Sequence, residues 1–146
     1  MPALNEEEGL PIVFKNVQLN FFSEVIVVDQ YSKDNTVKIA QKLGARVVFE
    51  KRRGYGFAYQ KGLRSAKGDL IATLDSDGTY NPKEVILMLK CLKSKNVDFV
   101  SGNRLKNIKK GTMPFIFLFG NYFITFVCNL MFGTKFQDSQ SGMWLF

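Results

Sequence analysis

The chain has 146 residues, 46% of them hydrophobic, enough to fill one core and not comfortably two, so a single domain is expected. It contains no histidine, which excludes imidazole general bases and histidine-bound zinc and leaves any metal to oxygen donors. The formal charge of +7 favours polyanionic partners, whether nucleic acid, anionic lipid headgroups or phosphorylated small molecules.

The opening MPALNEEEG has neither a basic segment nor an apolar stretch, so no signal peptide is read there; it has the character of a loop after a first strand that lies outside this sequence. Four β-branched runs follow: residues 24–29 (EVIVVD), 46–49 (RVVF), 69–74 (DLIATL) and 98–102 (DFVSG), each expected as a strand buried on both faces. Helical patterns separate them. Residues 36–43 follow the capping candidates Ser32 and Asp34 and stop at Gly44, and residues 57–67 stop at Gly68. Asn81, Pro82 and Glu84 form an N-cap, N1 and N3 signature for a helix running to Lys93. Cys91 and Cys128 show no metal-ligand spacing and fit a reducing, cytoplasmic compartment.

This alternation implies an α/β fold with a mainly parallel sheet and helices on both faces. Ligands of such sheets collect outside the carboxyl ends of the strands, where Asp29 and the pair Asp75 and Asp77 fall. The stretch DSDGT leaves three readings open. As a nucleophile, Asp75 resembles the first motif of haloacid dehalogenase-like phosphatases, but two strands precede it and only Asp98 and Asp138 remain as acids after Glu84. As ligands, two carboxylates one residue apart reach one hard cation if Gly78 lets the chain turn; such a cation bridges the phosphates of a nucleotide diphosphate. In the third reading the side chains only satisfy turn backbone.

Five segments in order resemble the family 2 glycosyltransferases of the GT-A fold, and among them the dolichol-phosphate mannosyltransferase-like, polyprenyl-phosphate branch. PALNEEE is similar to the family's donor-binding opening loop, VVDQYSKDNT to its D-x-x-S-x-D-x-T, DSD to its D-x-D, SGNRL to its G-S-R-type segment and DSQSGMWLF to its D-x-x-S-G. The resemblance covers nearly the whole chain. It implies a Rossmann-like GT-A domain, short of its first strand and C-terminal end. The implied reaction moves a sugar, with inversion, from a nucleotide-diphosphate sugar (GDP-mannose or a UDP-sugar) to a polyprenyl or dolichyl phosphate. It further implies that Pro2, Ala3, Asn5, Glu6, Asp29, Arg53, Gly56 and Ser76 contact the donor, that Asp75 and Asp77 hold Mg2+ or Mn2+, and that Arg104 and Asp138 act at the acceptor.

The residues also carry readings of their own. Asn5 and Glu6 offer polar edges to a nucleobase or ribose, or Asn5 caps the next helix; Ser32 and Asp34 read as helix caps. KRRGYGFAYQKG joins cations to a glycine turn that opens a helix, facing either a diphosphate or solvent. Arg104 has the guanidinium fork that matches phosphate oxygens, or is an ordinary surface arginine. A phosphate monoester already bears negative oxygen at neutral pH, so Asp138 is asked for little base strength and serves to position or balance charge. Three positions depart from the family pattern: Gln30 replaces an acid, Thr79 stands where glutamine is common, and Trp144 stands where arginine is common.

Residues 113–132 carry no charge over a length that spans a hydrocarbon core of about 30 Å as a helix. Asn121, Thr125 and Asn129 recur every fourth residue, and Pro114 and Gly120 interrupt the early part. The expectation is a helix docked by its polar stripe, with its apolar surface at the membrane interface; a transmembrane span and a core helix are the alternatives. The preceding RLKNIKKG supplies cations worth about 1 kcal/mol each at an anionic membrane surface. Peripheral attachment to the inner face of a membrane is therefore expected. A truncated nucleotide-sugar-binding domain without catalysis is the second functional reading, and no nucleic acid partner is expected, since no recognition module is visible.

Overall fold

The computed structural model describes residues 1–105 and 114–146. Its first half is built on a three-stranded parallel sheet in which Pro2–Ala3 (β1) and Arg46–Phe49 (β3) flank Ile26–Asp29 (β2). Pro2 and Ala3 lie opposite Val28 and Asp29, and Ile26 to Asp29 lie opposite Arg46 to Phe49. Adjacent side chains on a strand point to opposite faces, so Val27 and Val28 each anchor a helical layer. Val27 packs with Leu10 and Phe14 of Gly9–Phe14 (α1) and Ala40 of Thr36–Lys42 (α2). On the other face Gly62 of Tyr55–Ser65 (α3) approaches Val28 so closely that an added Cβ would lie 3.1 Å from its Cγ2.

The second half holds Ala72–Thr73 (β4), Glu84–Lys95 (α4), Val100–Ser101 (β5), Phe115–Phe132 (α5) and Trp144–Leu145 (β6). Here β6 lies between β4 and β5 and runs antiparallel to both. Leu74, Tyr80, Val85, Met88, Met143 and Leu145 form its core. An apolar cavity of about 500 Å³ separates the halves, walled by Ile26 and Val28 on one side and by Ala72 and Leu74 on the other.

Several local expectations are corrected. The opening segment, read as a loop, is strand through Ala3. Parallel pairing holds for β1 to β3, whereas β4 and β5 share a direction but are joined through antiparallel β6, a segment read for its motif rather than as a strand. Burial on both faces describes β2 and not β3, an edge strand whose Arg46 and Phe49 are exposed. Helix α3 begins at Tyr55, two residues early, because Gly54 adopts a left-handed φ of 119° and turns the chain there. Helix α4 begins at Glu84 with Lys83 at its N-cap, so Asn81 is not the expected cap; its Oδ1 accepts from Lys83 N at 3.2 Å in the turn before, and the helix runs past Lys93 to left-handed Asn96.

Candidate functional site

The acidic turn after β4 is tied down by its middle residue. Ser76 is buried and its hydroxyl donates to Pro2 O at 2.6 Å, so this side chain, expected at the donor, instead welds the turn to β1. Asp77 is exposed and its Oδ1 accepts from Thr79 N at 2.8 Å. Asp75 is half-buried. Burial drives its pKa up, the Tyr59 hydroxyl pulls it down, Asp77 pushes it up and Arg104 pulls it down, with a net rise. Glu6 is raised as well, by burial and by Asp77, Asp34 and Asp75. Acids that resist ionisation because they are buried and lie near one another are relieved by a divalent cation. Among the described residues no three acidic or cysteine side chains gather into a cage. The donor set therefore fits an ion that keeps water and phosphate ligands beside two carboxylates, as magnesium and manganese do.

The strand-end loops beside this turn are laced together. Asn5, left-handed at φ 57°, accepts from Lys33 N at 2.8 Å through Oδ1, and its own N–H donates to Ser32 Oγ at 2.9 Å. Asn5 therefore caps no helix. Nor does Ser32, whose N–H and hydroxyl both donate to the buried carboxylate of Asp29. Asp34 lies one residue before the N-cap Asn35 and so is not the expected cap either; it accepts from Thr36 N at 2.9 Å and from Glu7 N at 3.2 Å in the turn leading into α2. A cleft of about 430 Å³ opens between Asn5, Glu6, Gly9, Ile12, Asp34 and Asp77. Pro2 and Ala3, expected at the donor, are buried strand residues that do not line this cleft.

The basic loop is held by Gln30, whose amide donates to Arg52 O at 2.5 Å and Gly54 O at 3.2 Å. An ionised acid at this place has no proton for either carbonyl, which gives the departure at Gln30 a physical role. Arg52 is paired with Glu50 and lies 4.3 Å from the Phe57 ring centroid, whereas Arg53 is exposed. Open space surrounds the Cβ position of Gly56, so the tight turn expected of this loop belongs to Gly54.

At the other end, two residues expected to act separately form one unit. Asp138, fully buried, accepts from Arg104 N at 3.0 Å, Nε at 2.9 Å and Nη2 at 3.0 Å, and from Gln140 N at 3.1 Å. Burial opposes its charge, but the Arg104 bonds outweigh it and hold the carboxyl below the usual range. Both oxygens of Asp138 are thus occupied by N–H donors.

Residues that sequence reasoning passed over connect the two ends. The Tyr59 hydroxyl donates to Asp75 Oδ1 at 3.1 Å and lies 3.2 Å from Gly142 O. Thr73 Oγ1 donates to the same carbonyl at 2.8 Å, and Gly142 N donates to Tyr80 Oη at 2.6 Å. Burial raises the pKa of Tyr59, and that of Tyr55 to about 12, with Asp75 adding to both, so both phenols keep their protons. The available signal was the four-residue spacing of Tyr55 and Tyr59, which places them on one helix face.

Helix α5 is docked through Thr125 and Asn129 of its polar stripe, while Asn121 Nδ2 donates to Phe117 O of the helix itself at 2.9 Å. Asn129 donates to Phe136 O at 2.8 Å and accepts from Phe136 N and Thr134 Oγ1, while Thr125 Oγ1 accepts from Ser139 N at 3.1 Å. Its apolar side faces out, with Phe115 81% and Leu130 73% exposed, so within this chain it is no core helix. The cations expected at residues 106–110, and the start of the apolar segment at residue 113, lie outside the described residues.

The model of glycosyl transferase family 2 matches residues 1–146. A low-salt glycan biosynthesis hexosyltransferase of Haloferax volcanii is 35% identical over 153 residues, spanning 100% of this chain and 37% of that protein. A UDP-N-acetylglucosamine–dolichyl-phosphate N-acetylglucosaminyltransferase of Methanococcus voltae is 30% identical over 168 residues, spanning 100% of this chain and 67% of that protein. In fold, the chain resembles glucosyl-3-phosphoglycerate synthase from Mycobacterium tuberculosis, solved in complex with Mn2+, UDP-glucose and phosphoglyceric acid. The TM-score is 0.75 at 24% identity, covering 99% of this chain and 53% of that one. The chain thus spans only part of the length of the proteins it matches.

Proposed function

The chain belongs to glycosyl transferase family 2, and from that premise we propose that it transfers a sugar, with inversion, from a nucleotide-diphosphate sugar to a polyprenyl or dolichyl phosphate at a membrane surface. The observation that carries this reading is the position of Asp75, which lies against Gly142, in the loop of Asp138, and is near enough to Asp77 and Glu6 for their charges to act on one another. A carboxylate so placed serves both the leaving group and the acceptor.

Asp75 and Asp77 would hold the divalent cation, which when bound neutralises the charge that builds on the departing diphosphate. The cleft beside Asn5 and Glu6 takes the nucleoside, and the Gly54 turn opens α3 towards the phosphates. Arg104, oriented by Asp138 and close enough for its charge to act on Asp75, offers its guanidinium to the acceptor phosphate. That phosphate brings its own anionic oxygen, so no side chain has to abstract a proton. The Methanococcus relative's dolichyl-phosphate substrate and the Mn2+ and UDP-glucose bound to the Mycobacterium synthase support the two substrate classes. The outward apolar face of α5 supports peripheral attachment to a cytoplasmic membrane face.

The test is transfer of radiolabelled sugar from a panel of UDP- and GDP-sugars to a short polyprenyl phosphate. Metal-dependent product that disappears in Asp77→Asn supports the reading. Donor binding without product overturns it in favour of a nucleotide-sugar-binding module.

A further inference from the structure

We propose that Tyr59 is a positioning residue that locks the cation-binding carboxylate of Asp75 to the loop that ends at Gly142, so that the metal half and the acceptor half of the site are held as one body. This rests on Asp75 and Asp77 being the cation ligands. One phenolic proton is shared between Asp75 Oδ1 at 3.1 Å and Gly142 O at 3.2 Å. The Cα of Gly142 faces the same carboxylate: a Cβ there would lie 3.1 Å from both Asp75 oxygens and 3.2 Å from Tyr59 Oη. The carboxylate therefore rests on bare backbone, and the hydroxyl closes the third side.

The Gly142 peptide has other holders. Thr73 donates to its carbonyl at 2.8 Å, and its N–H donates to Tyr80 Oη at 2.6 Å. Those bonds fix the loop; the Tyr59 bond joins the loop to Asp75. The ring of Tyr59 packs against Tyr55 at 5.9 Å and Trp144 at 5.4 Å between centroids, contacts that a phenylalanine keeps. Trp144 and Thr73 are themselves linked, through Trp144 N to Thr73 Oγ1 at 3.0 Å. Removing the hydroxyl therefore isolates the link, and removing the Thr73 hydroxyl loosens the loop without touching the bond to Asp75.

The experiment uses the full chain, with Mn2+ affinity measured by electron paramagnetic resonance in the presence of UDP and amide exchange followed across residues 138–143. Loss of one charge-assisted bond predicts that Tyr59→Phe weakens Mn2+ binding about tenfold and speeds exchange in the loop. Thr73→Val is expected to speed exchange while leaving Mn2+ affinity within about twofold. A folded Tyr59→Phe, judged by an unchanged thermal midpoint, that binds Mn2+ as tightly as the parent overturns the proposal. A parent chain that binds no Mn2+ with UDP overturns the cation reading beneath it, a result visible before any substitution is made.

Discussion

Arg104 and Asp138, 34 residues apart, are joined by three hydrogen bonds from one residue's backbone and guanidinium to the other's carboxylate. The pair closes the end of the site proposed for the acceptor. Because Asp138 is fully buried, deleting its partner leaves an uncompensated charge. Arg104→Ala is expected to cost about 3 kcal/mol in urea unfolding. Arg104→Lys is expected to recover part of that loss, since a point charge replaces a fork.

The same pair sets a pH dependence. The folded pKa of Asp138 is depressed, so its contribution to stability is complete above the unfolded carboxylate value of about 3.9 and is lost as pH falls through the folded value. Asp75 and Glu6 have raised folded values and act with the opposite sign, their protonation on acidification adding stability. Unfolding followed against pH is expected to show an acid limb below about pH 4 that becomes shallower in Asp138→Asn.

Three glycines are expected to respond differently to alanine. At Gly9 the added Cβ would lie 2.4 Å from Ser76 O, a backbone atom of the acidic turn, so Gly9→Ala should destabilise by about 3 kcal/mol or more. At Gly142 the Cβ meets the Asp75 carboxylate at 3.1 Å, which can swing away, so stability should change little while Mn2+ affinity falls. Gly56 lies in open space within a helix, and Gly56→Ala should raise stability by about 0.5–1 kcal/mol. Thermal unfolding of the three variants checks the order.

Helix α5 predicts a separation of binding from stability. Phe123 is exposed on the outward face, whereas Asn129 anchors the helix to Phe136 and Thr134. Phe123→Glu should leave the unfolding midpoint unchanged and reduce sedimentation with anionic phospholipid vesicles about tenfold or more. Asn129→Leu should lower the midpoint. Vesicle binding that ignores Phe123→Glu would remove α5 from the membrane interface.

What could be read from the sequence was mostly local. The β-branched runs, Gly44 after α2 and the Asn81 turn are short-range patterns, and each marks an element boundary in the structure within a few residues. The period-four stripe of α5 foretold which side would dock, because a helix keeps its faces whatever it packs against. What escaped was long-range. No local pattern couples Arg104 to Asp138, brings Tyr59 to Asp75 or inserts β6 between β4 and β5; these depend on chain reversal through the second half of the fold. Ser76 shows the limit from the other side: its place inside the acidic motif suggested a ligand contact, yet an inward hydroxyl was needed to satisfy Pro2 O beside a buried strand.

Titration calorimetry of UDP-glucose and GDP-mannose with and without Mn2+, repeated on Asp77→Asn, addresses most directly the proposal that Asp75 and Asp77 hold a cation for the donor diphosphate. That proposal predicts that one donor binds at least about tenfold more tightly with Mn2+ than without it, and that Asp77→Asn abolishes the difference. Binding of equal strength with and without the metal, or a Mn2+ effect that survives in Asp77→Asn, would contradict it.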